Sequence, residues 1–110
     1  MSSDRLRLLH IRDAIARIRG YITTHDAFLG DVRTQDAVVR NLEVIGEAVK
    51  ALSNRTRDSA PAVRWSSIAG MRDRLIHGYF SVDLDLVWDV LERDLGDLEQ
   101  AVTVLIDAPE

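Results

Sequence analysis

LDLVWDVLERDLGDLEQAVTVL, residues 84–105, places Leu84, Trp88, Leu91, Leu95, Leu98, Val102 and Leu105 at unbroken steps of four and three. An α-helix turns 100° per residue, so this alternation holds all seven side chains on one stripe, whereas a strand would scatter them over both faces. A long helix follows, with Asp83 just ahead of it as an acceptor for the orphan N–H groups of the first turn. The seven positions can pack inside a bundle or against a second copy, and the bundle interior is the expected use.

The same periodicity recurs upstream. Leu8, Ile11, Ile15, Ile18 and Ile22 predict a helix over 3–23, and Val38, Leu42, Ile45, Val49 and Leu52 predict a second over 31–54. Between them THDAFLGD, with Gly30 and its Asp and Thr residues, reads as turn and cap chemistry. Gly46 lies inside the second helix, where glycine costs up to about 1 kcal/mol relative to alanine, so a close helix crossing is the expected compensation. SNRTRDSAPA, residues 53–62, reads as the one clear loop, with Pro61 opening a short helical turn toward Trp65. Ser66 or Ser67 is then placed to cap a third helix with Ile68, Met71 and Leu75 inward, closing near Gly78. No alternating strand pattern, repeat or low-complexity segment appears. The expected fold is all-α, an antiparallel bundle of four to five helices in one domain spanning 1–110.

Composition narrows the function. With no cysteine there is no disulfide framework, thiolate nucleophile or Cys-ligated zinc, and a reducing cytoplasm is compatible. MSSDRLRLLHIRD interleaves charges with its apolar residues, and no apolar run reaches membrane-spanning length, so neither secretion nor membrane insertion is expected. The net charge of −4 argues against nucleic-acid binding through bulk electrostatics, but it is unevenly spread. Residues 1–80 hold 13 basic against nine acidic residues, while 81–110 hold Arg93 against nine acids. The first three-quarters can therefore face a phosphate chain, and the acidic end reads as a solvated helix face. Arg5, Arg12, Arg17 and Arg19 on the first helix read as a solvated basic surface or a contact for RNA or an acidic partner.

The chemistry concentrates in RDRLIHGYF, residues 72–80. On a continuous helix Asp73 and His77 share a face one turn apart, so Asp73 can orient or charge the imidazole, whereas Arg72 and His77 lie about 140° apart. Arg72 would then reach the same pocket only through its long side chain, a neighbouring element or a second subunit. A guanidinium can stabilise charge building on a pentacoordinate phosphorus, and an imidazole moves protons near neutral pH. Such a pair suits attack of an RNA 2′-hydroxyl on the adjacent phosphate without a metal or other cofactor. Read from the residues alone, a histidine near a helix end is equally a capping or packing group, Asp73 and Arg74 a surface ion pair, and Tyr79 a partly buried ring.

Arg72, four residues, His77, one residue, Tyr79 matches the R-x4-H-x-Y signature of the HepT-like members of the HEPN superfamily. RNLEVIGEAVKAL (40–52) and VRWSSIAGMRDRLIHGYFSVDLDLVWDVL (63–91) also resemble that family's pattern in order and spacing. The resemblance is close over 35–95 and looser over the first helix. It implies a helical domain that forms a homodimer, with Arg72 and His77 of both subunits lining a cleft at the interface. It further implies a metal-independent ribonuclease acting as a toxin on RNA, held in check by a minimal nucleotidyltransferase antitoxin of the MntA kind. Tyr79 would be the residue to which that partner transfers AMP, adding phosphate charge and bulk that compete with substrate for Arg72.

Many HEPN nucleases carry Asn after the motif arginine where this chain has Asp73, whose charge raises imidazole basicity but opposes an incoming phosphate. Glu43 and Glu47 lie one turn apart and resemble a carboxylate pair, yet no matching His or Asp motif accompanies them, so no metal site is expected. Glu47, within GEA (46–48), is instead expected beside the cleft, holding Arg72, with Arg40 and Asn41 as further lining. His10 and His25 read as surface or helix-end residues. The competing reading is a non-catalytic HEPN module that engages a nucleotidyltransferase or nucleotide.

Overall fold

The computed structural model describes residues 2–77 and 81–108, with Ser2, Arg72, Ile76, His77 and Ser81 described by backbone alone. The first helix, α1 (Ser2–Tyr21), buries the expected stripe Leu8, Ile11, Ile15 and Ile18. A five-residue helix, α2 (His25–Leu29), occupies what reads in sequence as a turn: Thr24 Oγ1 accepts from Ala27 N at 3.1 Å, and Phe28 plugs into the core. In α3 (Val32–Ala51), Asp31 caps Arg33 N and Thr34 N, and Val38, Leu42, Ile45 and Val49 are buried.

The segment 53–62, expected as a loop, carries α4 (Asn54–Asp58), capped by Ser53 through Thr56 N. The cap is itself anchored, because the buried Asp4 carboxylate accepts from Ser53 N, Ser53 Oγ and Thr56 Oγ1. A contact from α1 across the bundle thus orders a segment whose local composition is that of a turn.

The expected third helix is two short ones, α5 (Trp65–Ala69) and α6 (Met71–Leu75), separated at Gly70. Arg64, not Ser66 or Ser67, occupies the N-cap position of α5, without a side-chain cap bond. The chain then leaves the helix three residues before Gly78. Ile76–His77 (β1) pairs antiparallel with Ser81–Val82 (β2), in the register Ile76↔Val82 and His77↔Ser81. Ile76 and Val82 are β-branched and favour extended backbone, and Asp83 N donates to Leu75 O at 2.9 Å, closing the base of the reversal. Gly78 lies outside the described residues.

The heptad segment is divided into α7 (Leu84–Arg93) and α8 (Leu95–Asp107). Asp83 caps α7 as expected, its carboxylate accepting from Leu86 N at 3.0 Å. Backbone bonding passes through the break, from Asp94 N to Val90 O and from Leu98 N to Asp94 O, while the buried Asp94 carboxylate turns aside to Arg64. The heptad side chains pack inside: Leu91, Leu95, Leu98 and Val102 are buried, and Leu84, Trp88 and Leu105 lie against them.

Long-range bonds settle the packing directions. Asp4 at the start of α1 meets Ser53 just past α3, Arg5 donates to Ile106 O at the end of α8, and Arg19 pairs with Glu99 in its first half. Both neighbours therefore run antiparallel to α1. The long helix α3 also carries α2, α5 and α6 along its length, and α7 packs on α6 and α8. The all-α antiparallel bundle is as expected, with eight helical segments among the described residues because loops hold short helices and the last helix breaks at Asp94. No described helix is long and apolar enough to cross a membrane.

Candidate functional site

Arg72 sits on α6 between Met71 and Asp73, in a helix pinned at both ends by the buried Met71 and Leu75, which pack toward α3 and α7. Gly46 faces α5 and the start of α6 across this crossing, where a methyl would make only ordinary contacts. A Cβ built there would meet Ile68 O at 3.5 Å, Ala69 O at 3.8 Å and Met71 Cε at 3.9 Å. The expected close crossing is real, and it brings the GEA segment beneath the residue that precedes Arg72.

His77 is placed on β1, so the helical geometry expected for the motif does not apply. Asp73 and His77 are not one turn apart on a continuous helix, and the 140° offset between Arg72 and His77 vanishes once the chain becomes extended at Ile76. The chain reversal brackets residues 78–80 between His77 and Ser81. Tyr79, the expected AMP acceptor, lies outside the described residues.

Asp73 is exposed. Arg74 donates its Nη2 to Ser67 O at 3.0 Å and to Ser67 Oγ at 3.1 Å, tying α6 back to α5. Glu47 is 68 % exposed, with one carboxylate oxygen 3.5 Å from Lys50 Nζ. With Glu43, Arg40, Arg7 and His10 it lines a shallow groove of about 360 Å³ between α1 and α3. Asn41, by contrast, is buried and donates to Ala37 O at 2.8 Å on its own helix. His25 opens α2 and stacks on Trp88, ring centroids 4.9 Å apart, with Nε2 4.0 Å from Asp85.

A family model described as Ribonuclease HepT-like matches residues 11–105, from the middle of α1 to the end of α8. The chain belongs to the HepT-like family. Among curated proteins, "Putative RNase MJ0127" of Methanocaldococcus jannaschii is 42 % identical over 83 residues, covering 72 % of this chain and 69 % of that protein. "Putative RNase TTE0752" of Caldanaerobacter subterraneus is 39 % identical over 92 residues, 84 % of this chain and 80 % of its own. "Probable ribonuclease HepT" of Thermococcus cleftensis is 44 % identical over 72 residues, 66 % of each. No solved structure matches the chain significantly.

In this HepT-like chain two positioning residues escape a reading of the sequence. Asp83 is legible as a helix cap, but its backbone bond to Leu75 O also closes the 75–83 reversal that carries His77. Arg64 shows no motif, yet its Nε and Nη2 grip one oxygen of Asp94 at 3.0 and 2.7 Å, joining the approach to α5 to the α7–α8 junction. The carboxylate in turn holds the guanidinium pKa above its ordinary value. Only the 30-residue separation of these partners, bridged by tertiary structure, makes them a pair.

Proposed function

We propose that this chain is a metal-independent endoribonuclease, the toxin of a toxin–antitoxin pair, with Arg72 and His77 as its catalytic residues. The reading is carried by the complete R-x4-H-x-Y motif in a chain of the HepT-like family, with Arg72 and His77 on two consecutive elements of a tightly packed corner. His77 takes the proton from a ribose 2′-hydroxyl as its oxygen attacks the adjacent phosphorus. The bond to the 5′-oxygen breaks, that oxygen receives a proton, and a 2′,3′-cyclic phosphate remains. Arg72 offers a planar pair of donors to the non-bridging oxygens as charge accumulates on them. Each active cleft forms between two subunits of a homodimer, Asp73 and Glu47 support it from its edge, and no cofactor enters the reaction.

Control runs through Tyr79. A minimal nucleotidyltransferase antitoxin of the MntA kind transfers AMP from ATP to its phenolic oxygen, releasing pyrophosphate. The added phosphate then competes with RNA for Arg72.

Purified protein is expected to cleave single-stranded RNA in the presence of a chelator, and Arg72→Ala or His77→Ala to abolish cleavage. Substitution of the 2′-hydroxyl at the cleavage site is expected to block it. Full cleavage by the His77→Ala protein would refute the assignment. Intact-mass measurement after co-expression with a nucleotidyltransferase, with and without Tyr79→Phe, tests the regulation.

The net charge of −4 and the exposed carboxylate of Asp73 favour a second reading, a non-catalytic module that binds the nucleotidyltransferase. Expression of the chain alone separates the two: growth arrest supports the ribonuclease, and unchanged growth the module.

A further inference from the structure

Beside the path from α4 into α5 lies a hollow of about 600 Å³, its lining divided between the polar Asn54, Arg57, Asp58, Arg64, Ser66 and Ser67 and the apolar Pro61, Val63 and Trp65. Its polar lining is rich in donors: two guanidiniums, one amide and two hydroxyls against the single carboxylate of Asp58. Both guanidiniums are held in place. Arg57 Nη2 donates to Asn54 Oδ1 one turn back, and Arg64 is gripped along one edge by the buried Asp94. The Asp94 side chain is 8 % exposed while that of Arg64 remains 60 % exposed, so the arginine is anchored from below and keeps N–H groups toward solvent.

The wall of the hollow is tied to α6, the helix that carries Arg72. Ser67, in its wall, accepts Arg74 at both its carbonyl and its hydroxyl, and Arg74 is two residues from Arg72 on α6. Donors of Arg57, Arg64 and Ser67 thus share one wall, and Ser67 joins that wall to α6. Trp65 offers no stacking platform, because it is buried and its Nε1 is spent on Ala60 O at 2.9 Å. Donors without an exposed ring suit a sugar–phosphate backbone, recognised without regard to base.

We infer that this hollow is an RNA-backbone subsite, holding phosphates of the single strand that flank the one cleaved at Arg72 and His77. The ligand's identity rests on the ribonuclease reading above. Arg57 supplies the charge; Arg64, whose own charge is offset by Asp94 with Asp89 and Asp97 nearby, supplies N–H donors, and Asp58 opposes the phosphate.

The test is binding of a fully 2′-O-methylated single strand of about twelve nucleotides, within the span such surfaces engage. This probe cannot undergo 2′-hydroxyl cleavage, and fluorescence anisotropy at several salt concentrations reads its affinity. Arg57→Glu is expected to weaken binding about tenfold and to lower the salt slope by about 0.7 for each phosphate no longer neutralised. Arg57→Gln should fall between it and the wild type, guarding against a charge reversal that disturbs α4, and Asp58→Asn should tighten binding. In cleavage assays, Arg57→Glu should lose more kcat/KM on a long RNA than on a dinucleotide too short to enter the hollow.

Affinities of both Arg57 variants within twofold of wild type, or equal losses on long and short substrates, would overturn the inference. So would a wild-type protein that binds no RNA, or variants that lose a protein partner while keeping RNA. Arg57-dependent binding by a wild type that cleaves nothing would defeat the ribonuclease reading and leave the subsite standing. Cleavage with Arg57-independent binding would do the reverse.

Discussion

Replacing Asp4 by alanine should loosen the corner where α1, α3 and α4 meet. Its carboxylate is 6 % exposed and accepts Ser53 N at 3.1 Å and the hydroxyls of Ser53 and Thr56 at 2.6 Å each. Hydrogen bonds to a charged group contribute about 1.5–3 kcal/mol each, but the three share one acceptor group and do not add. In its absence the two hydroxyls, already 3.2 Å apart, can pair with each other. The backbone N–H of Ser53 is left without its acceptor, which sets the net loss at about 2–4 kcal/mol. For a domain of this size that is a fall in Tm of about 10–15 °C. Asp4→Asn keeps an acceptor and should lose about half as much.

The pH dependence of the Asp4 effect has a definite sign. The Ser53 and Thr56 bonds hold the Asp4 carboxyl below its ordinary 3.8 in the folded chain. A depressed folded pKa contributes stability that is complete above the unfolded value and is lost as pH falls through the folded one. The gap between wild type and Asp4→Ala should therefore be constant from pH 7 to about 5 and close below about 4, while the difference between Asp4→Asn and Asp4→Ala, neither of which titrates there, stays unchanged. Thermal unfolding followed by circular dichroism at each pH measures it. A loss below about 0.5 kcal/mol at pH 7, or a gap unchanged at acid pH, would refute the reasoning.

Gly46→Ala should be neutral or stabilising by up to about 1 kcal/mol, because its methyl would sit at 3.5 Å from Ile68 O while helix propensity improves; Gly46→Leu should destabilise by about 1–3 kcal/mol and depress RNA cleavage by displacing α6, both read from unfolding and activity curves. Asp83→Ala removes the cap on Leu86 N and should cost about 1 kcal/mol in denaturant unfolding, with Asp83→Asn recovering most of it. Arg64→Ala leaves the buried Asp94 carboxylate without its guanidinium and should lower the melting temperature, whereas the paired change Arg64→Met with Asp94→Leu should recover part of that loss in a thermal melt.

Much of the architecture was legible because it is periodic. The stripes on α1 and α3 and the heptad of α7 and α8 are local properties of the chain, set by the 3.6-residue turn, and their burial in a common core follows. Gly46 was legible in part: the helix crossing expected there is present, but a methyl would meet Ile68 O at an ordinary 3.5 Å, so the approach does not demand glycine. The R-x4-H-x-Y motif was also readable, since identity and spacing are one-dimensional information.

The backbone path through that motif was not. Extending the third helix to Gly78 put Asp73 and His77 on one face, whereas the Asp83 N–H to Leu75 O bond and the Ile76↔Val82 pairing end the helix at Leu75. These partners lie six to eight residues apart and compete with helical bonds on nearly equal terms, so propensity alone does not choose between them. The acidic C-terminal segment departed from its reading at one residue. Its charges read as a solvated face, which holds for its other described carboxylates, whereas Asp94 is buried on Arg64.

The sequence by itself determined the helical stripes, the family and the identity of the chemical groups, because each depends on residues a few positions apart. Only the tertiary structure decided where α6 stops, what holds α4 and which arginines are anchored beside the motif. Those outcomes depend on partners as far apart as Asp4 and Thr56 or Arg64 and Asp94, and such pairs acquire an energy only when packing has brought them within hydrogen-bond reach.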